Sequence, residues 1–586
     1  MRELPKSPSG PEVSSKYMAG IFEMKCLIIL MKDQRVFDED PDGLKANYNY
    51  NFPVGLAYIS AVLKQNQHSV SVLNLNHIDG SVNTIIEQEL QKNSYDFVIT
   101  GGLSPFYPNI KTIVDSVRKN APDIKIILGG GLISSQPGIM YNLLNPDYAI
   151  IGEGERTITE LLTCLQDRGV LTTVAGLIFR NSDGNIIKTD QREPIKDLDT
   201  LPWPDYEGFG FSENLSHIYP SDCSYYDVFD YPRMYPMISS RSCPYVCTFC
   251  YHPLGNKYRQ RSVENIMDEI RYAVHKYNIN IIFFYDELFA HDKKRVSELC
   301  RKIKEFAGTV PWEIKWLCQM RVDSLDEDLV KEMKDAGCYF FSLGLESYSA
   351  PVLKSMKKKI TPQQIDRALR ICKNIGISYT GNFIFGDIAE TKETYQETLN
   401  YWKNNRDLCE TCIGMMPITI YQGSYIYQYA VKKGIINDEI KFIEERATKF
   451  DAYLYPINFT EKMTDSEYQQ MLYDFKEAGA TVRYYANPIR NIQTDTIHEV
   501  SVKCPFCNQI SDYKNYRISP DFAKIDICCR KCRSRFIIPG KRLRLKFFVV
   551  NLLGYRTTHR IAKWVYDNAD YLPFFLRSRI KGALEV

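Results

Sequence analysis

The chain has 586 residues, 44% of them apolar and 25% charged, with a net charge of +2. That length exceeds one core of ordinary size and predicts three or four domains. The balanced charge argues against a strongly polyanionic partner, which makes nucleic acid a poor candidate.

Residues 1–23 open with "MRELPKSPSGPEVSSKY", a polar stretch without the apolar run of a signal peptide, and read as a flexible tail. No stretch reaches the ~18 apolar residues that span a membrane. The expected location is therefore the cytoplasm. There, 17 cysteines point to metal rather than to a disulfide framework.

Residues 24–168 alternate strand and helix signals. "CLIILM", "SVSVLNL", "DFVITGG", "IKIILGGG" and "YAIIGEGE" are short, apolar and bounded by turn residues, the pattern of buried parallel strands. "VGLAYISAVLKQN", "TIIEQELQKN" and "NIKTIVDSVRKN" carry helical periodicity between them. The fold class is α/β, with a doubly wound, Rossmann-like N-terminal domain whose ligands sit at the carboxyl ends of the strands. Gly101, Gly102, Gly129, Gly130, Gly131, Gly152 and Gly154 gather there, either to let backbone approach a large ligand or simply to make tight turns. A GxGxxG fingerprint after the first strand is absent, which disfavours NAD. Residues 169–235 are rich in Pro, Asp and Tyr and read as a packed linker with aromatic anchors.

Residues 236–440 repeat strand and helix six times, from "YPMISSR" to "IGMMPITIY". A capping Thr361 and an N1 proline mark the helix "TPQQIDRALRICKNIG". Six units in line predict a partial (β/α)6 barrel, with its chemistry at the carboxyl ends of the strands. At the end of the first strand stand Cys243, Cys247 and Cys250, in "RSCPYVCTFCYH". Thiolates at CxxxCxxC spacing can wrap a compact metal centre, and three of them leave one coordination position open, as a reactive site requires. His252 is the alternative fourth ligand.

"SSRSCPYVCTFC" resembles the signature of the radical S-adenosylmethionine (SAM) family, with Phe249 as its aromatic position. "FYDELF", "MRVDSL", "GLESYSAPVLKSMKK" and "FIFGDIAET" are similar to the segments that follow in that family. The resemblance implies a [4Fe–4S] cluster on Cys243, Cys247 and Cys250, with SAM chelated at the fourth iron and cleaved reductively to a 5′-deoxyadenosyl radical. It also implies an electron donor such as flavodoxin or ferredoxin. By position, Asp286 and Glu287 would take the SAM ammonium, Arg321 its carboxylate and Glu346 the ribose hydroxyls, with Gly386 lining the adenine; the bland reading of each charged group is a structural ion pair. "YQGSYIYQYA" departs from the family's Pro-Gly-Thr turn.

"NFPVGLAYISAVLK", "GGLSPFYPNI", "GGGLISSQP" and "GEGERTITELL" resemble the cobalamin (B12)-binding domain that precedes many radical SAM domains, and "DLDTLPWPDYE" resembles their linker. Cobalamin would lie over Leu103, Ser104, Gly129, Gly130, Gly131, Glu153 and Gly154. The histidine-ligation motif DxHxxG is absent; "LNHIDG" follows the wrong strand, so His77 is expected to be a loop histidine and no imidazole of the chain a cobalt ligand. A methylthiotransferase would need three N-terminal cysteines, and residues 1–165 offer only Cys26 and Cys164. The resemblance thus implies cobalamin-dependent methyl transfer to an unactivated carbon of an unknown organic substrate. Cyclisation or rearrangement without methyl transfer, and a non-catalytic binding or docking protein, stay open.

Residues 441–500 read as a helical extension. In 501–540, Cys504, Cys507, Cys529 and Cys532 form two CxxC knuckles, the spacing of a structural zinc ribbon, with iron as the alternative metal. Cys528 is expected to be a bystander. The tail 541–586 has ten Lys or Arg against three Asp or Glu, mixed with apolar residues. It reads either as a core-facing helix or as a segment that meets a phosphorylated substrate or makes peripheral contact with an anionic membrane.

Overall fold

The computed structural model describes residues 23–33, 45–445, 456–480, 482–517 and 524–567. Most of the expected tail 1–23, and residues 568–586 of the C-terminal tail, lie outside them. The chain divides into two compact units: residues 1–217 with 238–272 and 420–452, and residues 218–237 with 273–419 and 453–586.

The first unit is built on a seven-stranded sheet of β1 (Lys25–Leu30), β2 (Ser69–Asn74), β3 (Phe97–Gly101), β4 (Lys125–Gly129), β5 (Tyr148–Ile150), β6 (Leu177–Arg180) and β7 (Ile186–Lys188), in the order β2-β1-β3-β4-β5-β6-β7. β1 to β5 pair in parallel. Residues buried on both faces, such as Ile28, Ile29, Val98 and Ile127, explain why these strands read as continuous apolar runs rather than alternations. Ile110, Val114 and Leu132 from the covering helices close one core with Val98 and Leu128.

β6 and β7 are antiparallel additions and fall inside the expected linker 169–235, which is thus partly sheet. The local cause is "NSDG": the Asn181 side chain accepts from the N–H of Asp183 (3.1 Å) and Asn185 (2.8 Å), and Gly184 takes φ +82°. This tight turn joins strands too short to show a periodic signal. Beyond them, Tyr206, Phe209 and Phe211 are buried against Phe52. Asp205 accepts from Ser60 (2.5 Å) and Lys64 (2.6 Å) on the first helix.

The second unit carries six parallel strands in sequential order: Met234–Met237, Ile281–Phe284, Lys315–Arg321, Cys338–Glu346, Ser378–Phe385 and Ile413–Pro417, here barrel strands one to six. The helix Pro362–Ile375 starts with a reciprocal capping box between Thr361 and Gln364. Tyr225 packs edge-on to Phe283 and Phe340, at 4.8 and 5.1 Å.

After the helix Asp465–Gly479 come three antiparallel strands, Pro488–Thr494, Ile497–Lys503 and Ile510–Arg517, and a hairpin of Lys524–Cys528 with Arg535–Pro539. The expected helical extension 441–500 therefore ends early. Residues 488–494 and 497–500 are strand; in the second of these strands His498, Val500 and Val502 alternate into the core under Tyr513 and Tyr516. Two helices, Lys541–Leu553 and Tyr555–Asp567, follow. Among the described residues, no helix is long and apolar enough to cross a membrane.

Candidate functional site

Barrel strand one stops at Met237, and from Ile238 the chain belongs to the first unit. A short antiparallel pair, Ser240–Arg241 with Arg259–Gln260, closes the base of the segment that holds Cys243, Cys247 and Cys250. The Cys250 N–H donates to the Cys247 carbonyl at 3.2 Å, a tight turn between two of the thiols. No thiol of the three is in a disulfide; Cys243 and Cys247 are half-buried and Cys250 is exposed. Three soft donors within one irregular, accessible loop suit a metal–sulfur centre.

Four charged side chains tie this loop to the sheet of the same unit. Arg241 donates to Glu153 (2.9 Å) and Glu155 (2.6 Å), and Arg259 donates to both oxygens of Glu153 (2.7 and 2.8 Å). All four are buried, none more than 8% exposed at the side chain. Arg259 also reaches the hydroxyl of Ser242 at 3.0 Å, where the backbone takes φ +69° directly before Cys243. Burial works to raise the Glu153 carboxyl; Arg241, the Ile195 N–H and Arg259 reverse this and hold it below the usual range. Glu153, expected to face cobalamin, anchors the cysteine segment through the guanidinium groups of Arg241 and Arg259.

The glycines of the strand ends separate into two kinds. A Cβ on Gly101 would lie 2.5 Å from the Gly129 carbonyl, and one on Gly130, at φ +83°, 2.8 Å from the Gly102 carbonyl. These positions press β3 and β4 together, so the tight-turn reading holds for them. Gly152, at φ +78°, borders open space, and Gly129 meets nothing nearer than Ile150 at 3.9 Å. Ser104 turns inward to Ser135 (3.1 Å), and a Cβ on Gly154 would lie 3.0 Å from Ile59. Leu103 stands 52% exposed at the end of β3. An exposed leucine beside unfilled glycine backbone fits the broad, apolar body of a corrinoid.

Tyr251, directly after Cys250, was not singled out in the sequence. Its hydroxyl donates to the Gly131 carbonyl at 3.4 Å. A Cβ on Gly423, at φ +85°, would meet its ring at 2.4 Å. The glycine that Gln422-Gly423-Ser424 shares with Pro-Gly-Thr thus has a steric reason: only glycine leaves room for Tyr251. His77 is a packed loop residue. It contacts the Tyr50 hydroxyl (3.0 Å) and Glu213 (3.3 Å) against Gly210, which leaves the imidazole committed within the chain.

In the second unit, Asp286 is fully buried and the adjacent Glu287 exposed. Arg321, expected to meet a ligand carboxylate, grips Asp323 through two bonds of 3.0 Å and donates to the Lys358 carbonyl at 2.8 Å. Glu346 accepts from Lys358 at 2.6 Å and sits at φ +64°, beside a register shift between Gly344 and Glu346. Left-handed backbone at a non-glycine residue costs about 1–3 kcal/mol and concentrates at functional sites. Gly386, at φ +95°, donates its N–H to Glu390 at 3.2 Å, and a Cβ there would lie 2.9 Å from Tyr468. Burial pushes the Glu390 carboxyl up to about 7.

Cys504, Cys507, Cys529 and Cys532 converge, with all four sulfurs within 4.8 Å of one another. The Cys504–Cys532 and Cys507–Cys529 separations are 3.8 and 3.6 Å. A tetrahedron of zinc–sulfur bonds of about 2.3 Å has edges of about 3.8 Å, so the donor set fits that ion. Cys528 points elsewhere, its thiol 3.6 Å from the Arg533 carbonyl.

Two family models match: the B12 binding domain over residues 45–162 and the radical SAM superfamily over residues 237–401. The chain is 28% identical over 393 residues to an uncharacterised methyltransferase of Pyrococcus horikoshii, covering 66% of this chain and 79% of that protein. It is 26% identical over 360 residues to the anaerobic magnesium-protoporphyrin IX monomethyl ester cyclase of Rubrivivax gelatinosus, covering 59% of this chain and 61% of the cyclase. In fold it resembles the radical SAM methyltransferase TsrM of Kitasatospora setae, with TM-score 0.55 and 17% identity over 70% of this chain and 75% of that one. With the cysteine segment inside the second matched stretch and the glycine-lined strand ends inside the first, the chain carries a B12-binding domain followed by a radical SAM domain.

Proposed function

We propose that this protein is a radical SAM enzyme that transfers a methyl group to an unactivated carbon with the help of cobalamin. The observation that carries this reading is that the CxxxCxxC loop and the strand ends of the B12-binding domain form one compact unit, joined by Arg241–Glu153 and Tyr251–Gly131. When bound, the [4Fe–4S] cluster supplies the electron that cleaves SAM to methionine and a 5′-deoxyadenosyl radical, and the corrinoid supplies a carrier for the methyl group. Cys243, Cys247 and Cys250 would hold the cluster, and with three thiolates would leave it a position at which SAM could bind. Leu103 and Gly129 offer the corrinoid an apolar, close-fitting floor that excludes water. Glu346, held by Lys358, keeps a carboxylate oriented at the end of barrel strand four.

A reductant of the flavodoxin or ferredoxin class and a reducing, cytoplasmic setting fit an oxygen-sensitive centre. The four C-terminal cysteines hold a structural zinc in a ribbon of strands. A cyclase reading is kept by the likeness to the magnesium-protoporphyrin IX monomethyl ester cyclase of Rubrivivax gelatinosus.

Anaerobic reconstitution tests both readings. About four irons with sulfide, bound corrinoid, zinc and release of 5′-deoxyadenosine on reduction with SAM are expected. Transfer of isotope label from the SAM methyl group to the corrinoid separates methyl transfer from cyclisation. Failure to assemble any cluster would overturn the assignment of the cysteine loop.

A further inference from the structure

The two C-terminal helices are apolar on more than the face they use for packing. In the helix Lys541–Leu553, Leu543 and Val550 are buried, with Val550 clustered against Ala480 and Tyr555. Leu545, Phe548 and Leu552, spaced i, i+3 and i+7, lie on the opposite side and are 63%, 64% and 69% exposed. At about 100° per residue, Arg544 and Arg542 flank this stripe on its two sides, and both are exposed. The helix Tyr555–Asp567 adds Ile561 and Trp564, at i and i+3, 50% and 66% exposed.

Single exposed apolar residues are ordinary; a stripe of three with two more on the adjoining helix is a built face. Charge selects what covers it. Residues 541–566 hold seven Lys or Arg and no Asp or Glu. Arg556 turns back onto Asp474 (3.1 Å) and Glu477 (3.7 Å). A protein partner of ordinary composition would meet mixed charge around a core depleted of Lys. An apolar stripe bordered only by cations matches a surface in which an anionic layer lies directly over an apolar one, and Trp and Phe are residues that settle at that boundary.

We propose that the face of Leu545, Phe548, Leu552, Ile561 and Trp564 docks on an anionic membrane surface, with its apolar side chains at the headgroup–acyl boundary and the neighbouring Lys and Arg on lipid phosphates. The proposal is independent of the radical SAM reading.

Sedimentation of the full chain with vesicles tests it. Binding is expected to phosphatidylglycerol–phosphatidylcholine vesicles and not to phosphatidylcholine alone, and to weaken roughly tenfold or more between low and high salt. The double variant Phe548→Glu/Leu552→Glu should lose at least roughly tenfold in vesicle affinity, with unchanged Tm and zinc content, because both side chains are exposed. The variant Trp564→Phe should remove a blue shift of tryptophan emission seen on binding. A full chain that stays in solution with anionic vesicles, or a double variant that binds as well as the parent, would overturn the proposal. So would a parent that is dimeric, ignores vesicles and becomes monomeric on Phe548→Glu/Leu552→Glu, which would assign the face to a second copy.

Discussion

The chain holds two cysteine groups, and they differ in the way that separates a reacting metal site from a holding one. Around Cys504, Cys507, Cys529 and Cys532, four sulfurs from two knuckles meet within 4.8 Å and the protein supplies every donor. The loop of Cys243, Cys247 and Cys250 supplies three donors, and one of them is exposed. A closed tetrahedron has no position left for a substrate; an incomplete set does. The surroundings follow the same division. The four-cysteine site packs against the apolar residues Val502, Tyr513 and Phe536, whereas the three-cysteine loop is bordered by a buried network of two arginines and two glutamates that fixes where the loop stands.

The strongest way to break this comparison is Cys247→Ala. It should abolish 5′-deoxyadenosine formation and cluster iron while leaving zinc content unchanged, as read by metal analysis and chromatography. Residual cleavage of SAM would show that the loop is not the reacting site. Next in size, Cys529→Ala or chelation should remove zinc, whose binding in small domains is worth on the order of 10 kcal/mol. It should unfold the strands of residues 488–517 and 524–539 by hydrogen exchange with the cluster spectrum intact; a loss of both metals together would mean that the two sites are not separate.

Glu153→Gln tests the border of the loop. It leaves Arg241 and Arg259 buried and under-compensated, which typically costs about 3–5 kcal/mol. Urea denaturation of the first unit should show that loss and zinc content should not change; a stability within about 0.5 kcal/mol of the parent would remove the network from its anchoring role.

Glu390 gives a pH test at the end of barrel strand five. Burial raises its carboxyl from the ordinary 4.5 to about 7. Below pH 4.5 both the folded and unfolded states hold the proton and the contribution to stability is complete. As pH rises from 4.5 to 7 the unfolded chain releases its proton first, so this stability is lost, by up to about 3 kcal/mol. Glu390→Gln should flatten that part of the stability–pH curve; a parallel curve would show that other groups set it. The smallest effect is expected from Gly423→Ala, which places a methyl group against the Tyr251 ring at positive φ and should cost about 1–3 kcal/mol. Pairing it with Tyr251→Phe, which keeps the ring, should not relieve the cost, whereas Tyr251→Ala should relieve its steric part and leave the backbone strain.

Much of this was legible from spacing. CxxxCxxC and the paired CxxC knuckles are local patterns, and the barrel strands appear as apolar runs because most of their residues are buried. The NSDG hairpin inside the linker was missed because strands of three or four residues carry no period, and the strand Ile497–Lys503 because its alternation lay in a stretch read as helical. The expected cobalamin and SAM contacts were harder still. Glu153 and Arg321 sit where a ligand would want a charge, yet each already holds partners from the chain: Glu153 grips Arg241 and Arg259, and Arg321 grips Asp323 and the Lys358 carbonyl.

The sequence by itself determined the two metal-binding patterns, the two α/β series and the basic, apolar end of the chain, since all of these are set by residue type at short separations. Tertiary structure alone decided that Arg241 pairs with a glutamate 88 positions earlier, that Gly423 makes room for Tyr251, and that Leu545, Phe548 and Leu552 face away from the protein. Those outcomes depend on which surfaces meet when the chain closes, and hydrophobic burial is non-directional: it selects apolar residues for cover without recording in the local pattern which distant partner will supply it.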